Sequence, residues 1–274
     1  MLRSSNPILS KQDAFTPAAP QYGQNQYGRS PYNQYPPEAY SQPAPVQQAP
    51  EGPMTFDDVV TKTAVTLGLL AITAGLAWQF MPAALYLPAM ILSGLVGFVV
   101  VMVVSFRRLV SPPLVLAYAA IEGVFIGMIS KGFEGYSPGI VAQAVIATFF
   151  AAGVTLAAYK FFNIRVTAKF QKVVILSTLA FAALMLVNFI FSIATGSGGL
   201  RGGITGPVSP LALGISAIAI VLAVLNLVLD FDYVEKGVAM GAPARESWRA
   251  AFGLTVTMVW LYVEMLRLLS YLRR

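Results

Sequence analysis

The chain has 274 residues, of which 57% are apolar and only 11% charged, and its mean hydropathy is +0.68. Soluble domains carry about 25% charged residues, so the composition is that of an integral membrane protein, and the net charge of +6 reads as loop lysines and arginines rather than nucleic-acid binding. Cysteine and histidine are both absent. That excludes disulfides, thiol catalysis, Cys-based metal sites and histidine proton switching, and leaves carboxylates as the main candidates for any proton chemistry.

Residues 1–55 differ from the rest. The stretch "QYGQNQYGRSPYNQYPPEAYSQPAPVQQAP" is rich in Gln, Pro, Tyr, Gly and Ser and has too little apolar surface to offset the entropy of ordering it. It reads as a disordered tail, either a solubilising tether or an interaction arm. No apolar stretch follows its first basic residue, so a signal peptide is not expected.

From residue 56 the chain is a series of apolar runs, each near the roughly 20 residues needed to cross a bilayer. Seven spanning helices are predicted, over about 59–80, 84–106, 112–130, 138–160, 171–194, 208–230 and 248–270. Turn chemistry separates them in "QFMPAALYLP", "RRLVSPP", "GFEGYSPG" and "GSGGLRGG". The glycine loop lacks the Lys-Ser/Thr of a phosphate cradle and reads as a linker. One set of loops holds Arg107, Arg108, Lys160, Arg165, Lys169, Lys172, Lys236, Arg245 and Arg249, whereas the other holds Lys131 and Arg201. The richer side, with the N-terminus, is expected to be cytoplasmic. Arg273 and Arg274 break the rule, so either it is overridden at the C-terminus or the last helix does not fully cross.

Ionisable groups within the spans are functional candidates. Lys62 lies one turn into the first helix, where its stem can snorkel. Glu122 is central in "YAAIEGVFIG" and too short to reach water. Asp230 and Asp232 are expected to close the sixth helix. Glu264 lies deep in the seventh, with Arg267 three residues on, so the two either form an internal pair or Glu264 faces a second carboxylate. Asp230 and Asp232 are about 200° apart around a helix, so at most one can point at Glu264. Asn226 shares the face of Asp230, Glu235 shares that of Asp232, and Asn188 is read as interhelical packing glue.

Together, seven spans, the Phe231-Asp232 step in "LDFDYVEKG", the acid within "LYVEMLRLLSYLRR", the opening "LRSSNPIL", and the stretches "LAYAAIEGVFIGMISKGFE" and "AAFGLTVTMVWLYVEMLRLLSYL" resemble the Bax inhibitor-1 family, in particular its bacterial YccA-type branch. The resemblance implies an all-α fold with six helices in two layers around a central seventh. It also implies a pH-sensitive calcium leak in the cell membrane, gated by acids on helices six and seven. Carried onto this chain, the sixth-helix acid is Asp232, with Asp230 as the alternative. The seventh-helix acid is Glu264, where the family usually has Asp. Arg107 or Arg108 corresponds to a supporting arginine near the end of the second helix. Two carboxylates in a poorly solvated site would share one proton, and losing it would leave a site suited to calcium.

The resemblance suggests a second reading, in which the chain is a modulator or substrate of a membrane-anchored ATP-dependent protease docked through the tail. An enzyme is not expected. The Gly-x-Gly-Asp of intramembrane aspartyl proteases is missing, and the histidine base usual in intramembrane serine proteases is absent. Apart from calcium as the transported ion, no cofactor is implied, and the expected surroundings are a lipid bilayer.

Overall fold

The computed structural model describes residues 52–107, 109–196, 199–202 and 208–274. Residues 1–51 of the tail, with the disorder and docking expected of it, and Arg108 lie outside the described residues, whereas residues 52–55 pack against the bundle. Seven long helices follow in order: α1 Phe56–Phe80, α2 Tyr86–Phe106, α3 Pro112–Tyr136, α4 Ile140–Phe161, α5 Ala168–Thr195, α6 Pro210–Ala239 and α7 Glu246–Leu272. All seven are long and apolar enough to cross a membrane, and no strand occurs among the described residues. The starts of α1, α5 and α6 are capped by the hydroxyls of Thr55, Thr167 and Ser209, which accept from the backbone N–H groups of Asp58, Phe170 and Ala212.

Six helices form two layers of three. In one, α1 and α2 pack on α3. In the other, α4 and α5 pack on α6. Helix α7 lies between them and touches α1, α3, α4 and α6. Half of the apolar window of α7 is buried, against 6% for α5, so α5 lies at the edge of the bundle. The packing explains why α7 is the least apolar of the long spans. A helix surrounded by other helices can carry polar groups provided each finds a partner. Thr255 bonds Thr66 of α1 at 2.9 Å, Thr257 bonds Asp230 of α6 at 2.6 Å, and Tyr262 bonds Ser130 of α3 at 2.7 Å.

Contact between α1 and α3 is closest at two glycines one turn apart. A Cβ on Gly127 would lie 2.4 Å from the carbonyl oxygen of Ala74, and one on Gly123 would meet the side chain of Thr73. Only glycine allows the backbones this near.

Two predicted ends move. Helix α3 continues to Tyr136, and α6 continues to Ala239, nine residues past Asp230. The apolar run does stop at Asp230, but helix formation does not require lipid. The Asp232–Lys236 ion pair at 2.6 Å bridges successive turns of the extension. Gly237 receives the side chain of Met54, whose backbone N–H donates to Ala242. The three acids of "DFDYVE" therefore lie inside the helix rather than at its end.

Helix α7 is long and apolar enough to cross completely. Its 27 residues span about 40 Å. It starts beside the N-terminal Gly52–Met54 segment, where Ala244 donates to the carbonyl of Gly52, and it ends where Arg273 donates to the carbonyls of Ser137 and Pro138 in the α3–α4 loop. The C-terminal arginines therefore stand at the end of the bundle opposite the N-terminal segment.

Candidate functional site

Asp230 is the α6 acid that faces α7. Its Oδ2 accepts from the hydroxyl of Thr257 at 2.6 Å, and its Oδ1 lies against Gly253, where a Cβ would stand 3.2 Å away. Gly253 and Thr257 are one turn apart on α7, so the glycine makes room for a carboxylate that the threonine then holds. The residue opposite Asp230 is thus a hydroxyl donor and not a second acid.

Asp232 points elsewhere, as helical geometry requires. It forms its ion pair with Lys236 on its own helix. Glu235, on the same face, accepts from the hydroxyl of Tyr159 of α4. Asn226 donates to Thr178 of α5 at 2.8 Å and fastens α5 to α6.

Glu264 is 3% exposed and lies eight residues before the end of α7, about 12 Å inside the bundle. Its partner is neither Arg267 nor an α6 aspartate. Oε1 of Glu264 receives Nη1 of Arg201 at 2.7 Å, and Arg201 is itself 6% exposed. Arg201 ends a short turn of 3-10 helix, Gly199–Arg201, in the α5–α6 connection. Three further contacts hold that turn: Tyr271 donates to the Arg201 carbonyl at 2.8 Å, the Phe181 ring lies 5.4 Å from the guanidinium carbon, and Asn188 accepts from the Leu200 N–H at 2.6 Å. A Cβ on Gly199 would lie 2.4 Å from Oδ1 of Asn188, and Gly199 has φ +61°, so both space and backbone call for glycine there. Burial pulls the Arg201 guanidinium below its ordinary pKa, while Glu264 opposes that shift. An arginine remains charged at any physiological pH.

The ion pair is incomplete. Among the described residues, Glu264 Oε2, Arg201 Nε and Nη2, and Arg267 Nε are all buried and meet no hydrogen-bond partner. On α7, Thr257 and Glu264 are seven residues apart and share a face, so the Asp230 contact and the Glu264 contact stand about 10 Å apart along one side of the central helix.

The other candidates fall outside this line. Glu122 is buried on α3 with its carboxylate against Gly97 of α2, where a Cβ would lie 2.4 Å from Oε2. The Arg107 carbonyl accepts from Arg249 at the start of α7. Lys62 reaches Asp58 at 2.6 Å and the Ala244 carbonyl at 3.1 Å, with its ammonium over Trp248. Among the described residues no three His, Cys, Asp or Glu side chains cluster as a metal site. The carboxylates of Asp230 and Glu264 have separate partners, Thr257 and Arg201.

Reading the sequence missed Arg201, Thr257 and the anchoring role of Asn188. A signal for Arg201 was present, since it is the only charged residue between Lys172 and Asp230, and an isolated charge among membrane spans needs a buried partner. No signal marked Thr257, one of several threonines in α7. No curated protein matches the chain. A family model described as Bax inhibitor 1 like matches residues 6–274, and this multi-pass membrane protein belongs to that family.

Proposed function

We propose that the protein is a proton-sensitive cation leak of the bacterial cell membrane, with calcium as the permeant ion and the N-terminal end of the bundle facing the cytoplasm. The observation that carries the reading is the 2.7 Å pairing of Arg201 with Glu264. A tethered guanidinium occupies the buried carboxylate that a passing cation would otherwise meet, so the 3-10 turn acts as a plug. Further along the same side of α7, Asp230 supplies a second carboxylate held by Thr257. Protons and cations compete for the same carboxylate oxygens, which gives pH sensitivity without histidine.

The gate differs in construction from a two-carboxylate pair. Asp230 faces a hydroxyl in place of a second acid, and Glu264 is neutralised by a guanidinium from a connecting turn. Family membership and the Asp230 and Glu264 contacts on one side of α7 support the reading.

The test is calcium entry into liposomes containing the purified chain, followed with an internal indicator over a range of pH. Arg201→Gln should raise the flux severalfold by freeing the Glu264 carboxylate, and Asp230→Asn should lower it and flatten its pH dependence. Wild-type liposomes no leakier than protein-free ones, at every pH and in both variants, would overturn the proposal.

A further inference from the structure

A cleft of about 310 Å³ lies between α1, α3, α4 and α7, and none of Asp230, Thr257, Arg201 and Glu264 lines it. Its α1 wall runs from Leu67 to Trp78, a rise of about 16 Å. Leu67 is at the middle of α1 and Trp78 near its end, so the cleft extends from mid-membrane to the headgroup level. One leaflet of hydrocarbon is about half of 30 Å deep, which matches.

The lining is apolar apart from a few hydroxyls, and these are already satisfied. Ser130 and Tyr262 bond each other at 2.7 Å, and Thr148 donates to the Ala144 carbonyl at 2.7 Å. The walls offer water little to bond. The rim faces lipid: Phe149 is 57% exposed and Val145 39%. Along the α1 wall Gly75 keeps the cleft open, since a Cβ there would meet nothing within 4 Å.

The outer end carries a charge. Lys131 of α3 donates to the Trp78 carbonyl at 2.8 Å and has no ion pair among the described residues. The nearby carboxylate of Glu134 is engaged by the backbone N–H groups of Gly139 and Val141. An ammonium has three protons, so two remain for another acceptor, and tryptophan and lysine both favour the interface.

We propose that this cleft binds one acyl chain of an anionic phospholipid, drawn from the leaflet at the C-terminal end of α7, with Lys131 holding its phosphate. The tail lies along Gly75 toward Leu67 and covers the Ser130–Tyr262 contact. This assignment stands independently of the leak.

The chain has three tryptophans, so Trp248→Phe with Trp260→Phe leaves Trp78 as a fluorescent reporter inside the cleft. The full-length reporter protein is placed in phosphatidylcholine vesicles, and phosphatidylglycerol or phosphatidylcholine with brominated acyl chains is added. The brominated phosphatidylglycerol should half-quench Trp78 at a severalfold lower mole fraction than its phosphatidylcholine counterpart. Lys131→Gln should abolish that difference. Gly75→Leu, which fills the cleft, should reduce the quenching by either lipid at least twofold. If Gly75→Leu does not fold, Val145→Phe at the rim takes its place, with the same expected reduction. Equal quenching by the two lipids in the reporter protein overturns the anionic-headgroup assignment, and undiminished quenching in the cleft-filling variant overturns the acyl-chain site.

Discussion

Glu264 of α7 and Arg201 of the α5–α6 connection form a 2.7 Å ion pair in which both side chains are almost wholly buried. Removing one member of such a pair strands the other and costs about 3–5 kcal/mol, whereas replacing both is far milder. Arg201→Gln and Glu264→Gln should each lower the unfolding temperature in detergent micelles, and the double variant should recover most of the loss. A double variant destabilised by the sum of the two single losses would mean that the residues do not act as a pair.

The two aspartates of α6 separate by partner. Asp230 bonds Thr257 across the helix interface, while Asp232 pairs with Lys236 on its own helix. Hydrogen bonds between membrane helices average about 0.6 kcal/mol and reach about 1.7, so Thr257→Val should cost no more than that in stability. Its effect on calcium flux should resemble that of Asp230→Asn. Asp232→Asn should leave both flux and pH dependence unchanged, because an ion pair on one helix face bridges no moving parts. Flux assays of the three variants side by side decide this, and a large effect of Asp232→Asn alone would return the gate to that residue.

The order of these contacts in the sequence explains what could be read from it. Seven spans were legible because lipid imposes length and apolarity on each helix independently, and those are local properties. The centrality of α7 was not a local property and came only from family resemblance. Glu264 was legible as a buried acid because the chemistry of a lone carboxylate in hydrocarbon is the same in any fold. Its partner was not, because the loop holding Arg201 has the composition of a linker, and its inward turn depends on Asn188 and Tyr271 from two other helices. The end of α6 was misplaced for a related reason. Hydropathy records where lipid stops, and α6 continues beyond it.

The glycines of α3 give a sharp contrast in tolerance. A side chain at Gly127 would run into the Ala74 backbone, which cannot move aside, while a Cβ at Gly153 of α4 would meet nothing within 4 Å. Overpacking a close contact costs about 1–3 kcal/mol or more. Gly127→Val should therefore lower the yield of folded protein and its unfolding temperature, and Gly153→Ala should change neither. Thermal unfolding followed by circular dichroism distinguishes them.

Asn188 tests whether the 3-10 turn is a separable part. Its Oδ1 accepts from the Leu200 N–H, one residue before the arginine that pairs with Glu264. Replacing Asn188 by Leu removes that acceptor and brings bulk toward Gly199, where the amide already fits with no room for a Cβ. The turn should then spend more time away from α7. The natural chain has no cysteine, so Leu200→Cys provides a unique label site, and its rate of reaction with a membrane-impermeant maleimide in intact vesicles reports the movement directly. Asn188→Leu should raise that rate severalfold, and Arg201→Gln should do the same by releasing the other anchor. If neither substitution alters the labelling rate, the turn is a fixed part of the bundle and not a plug.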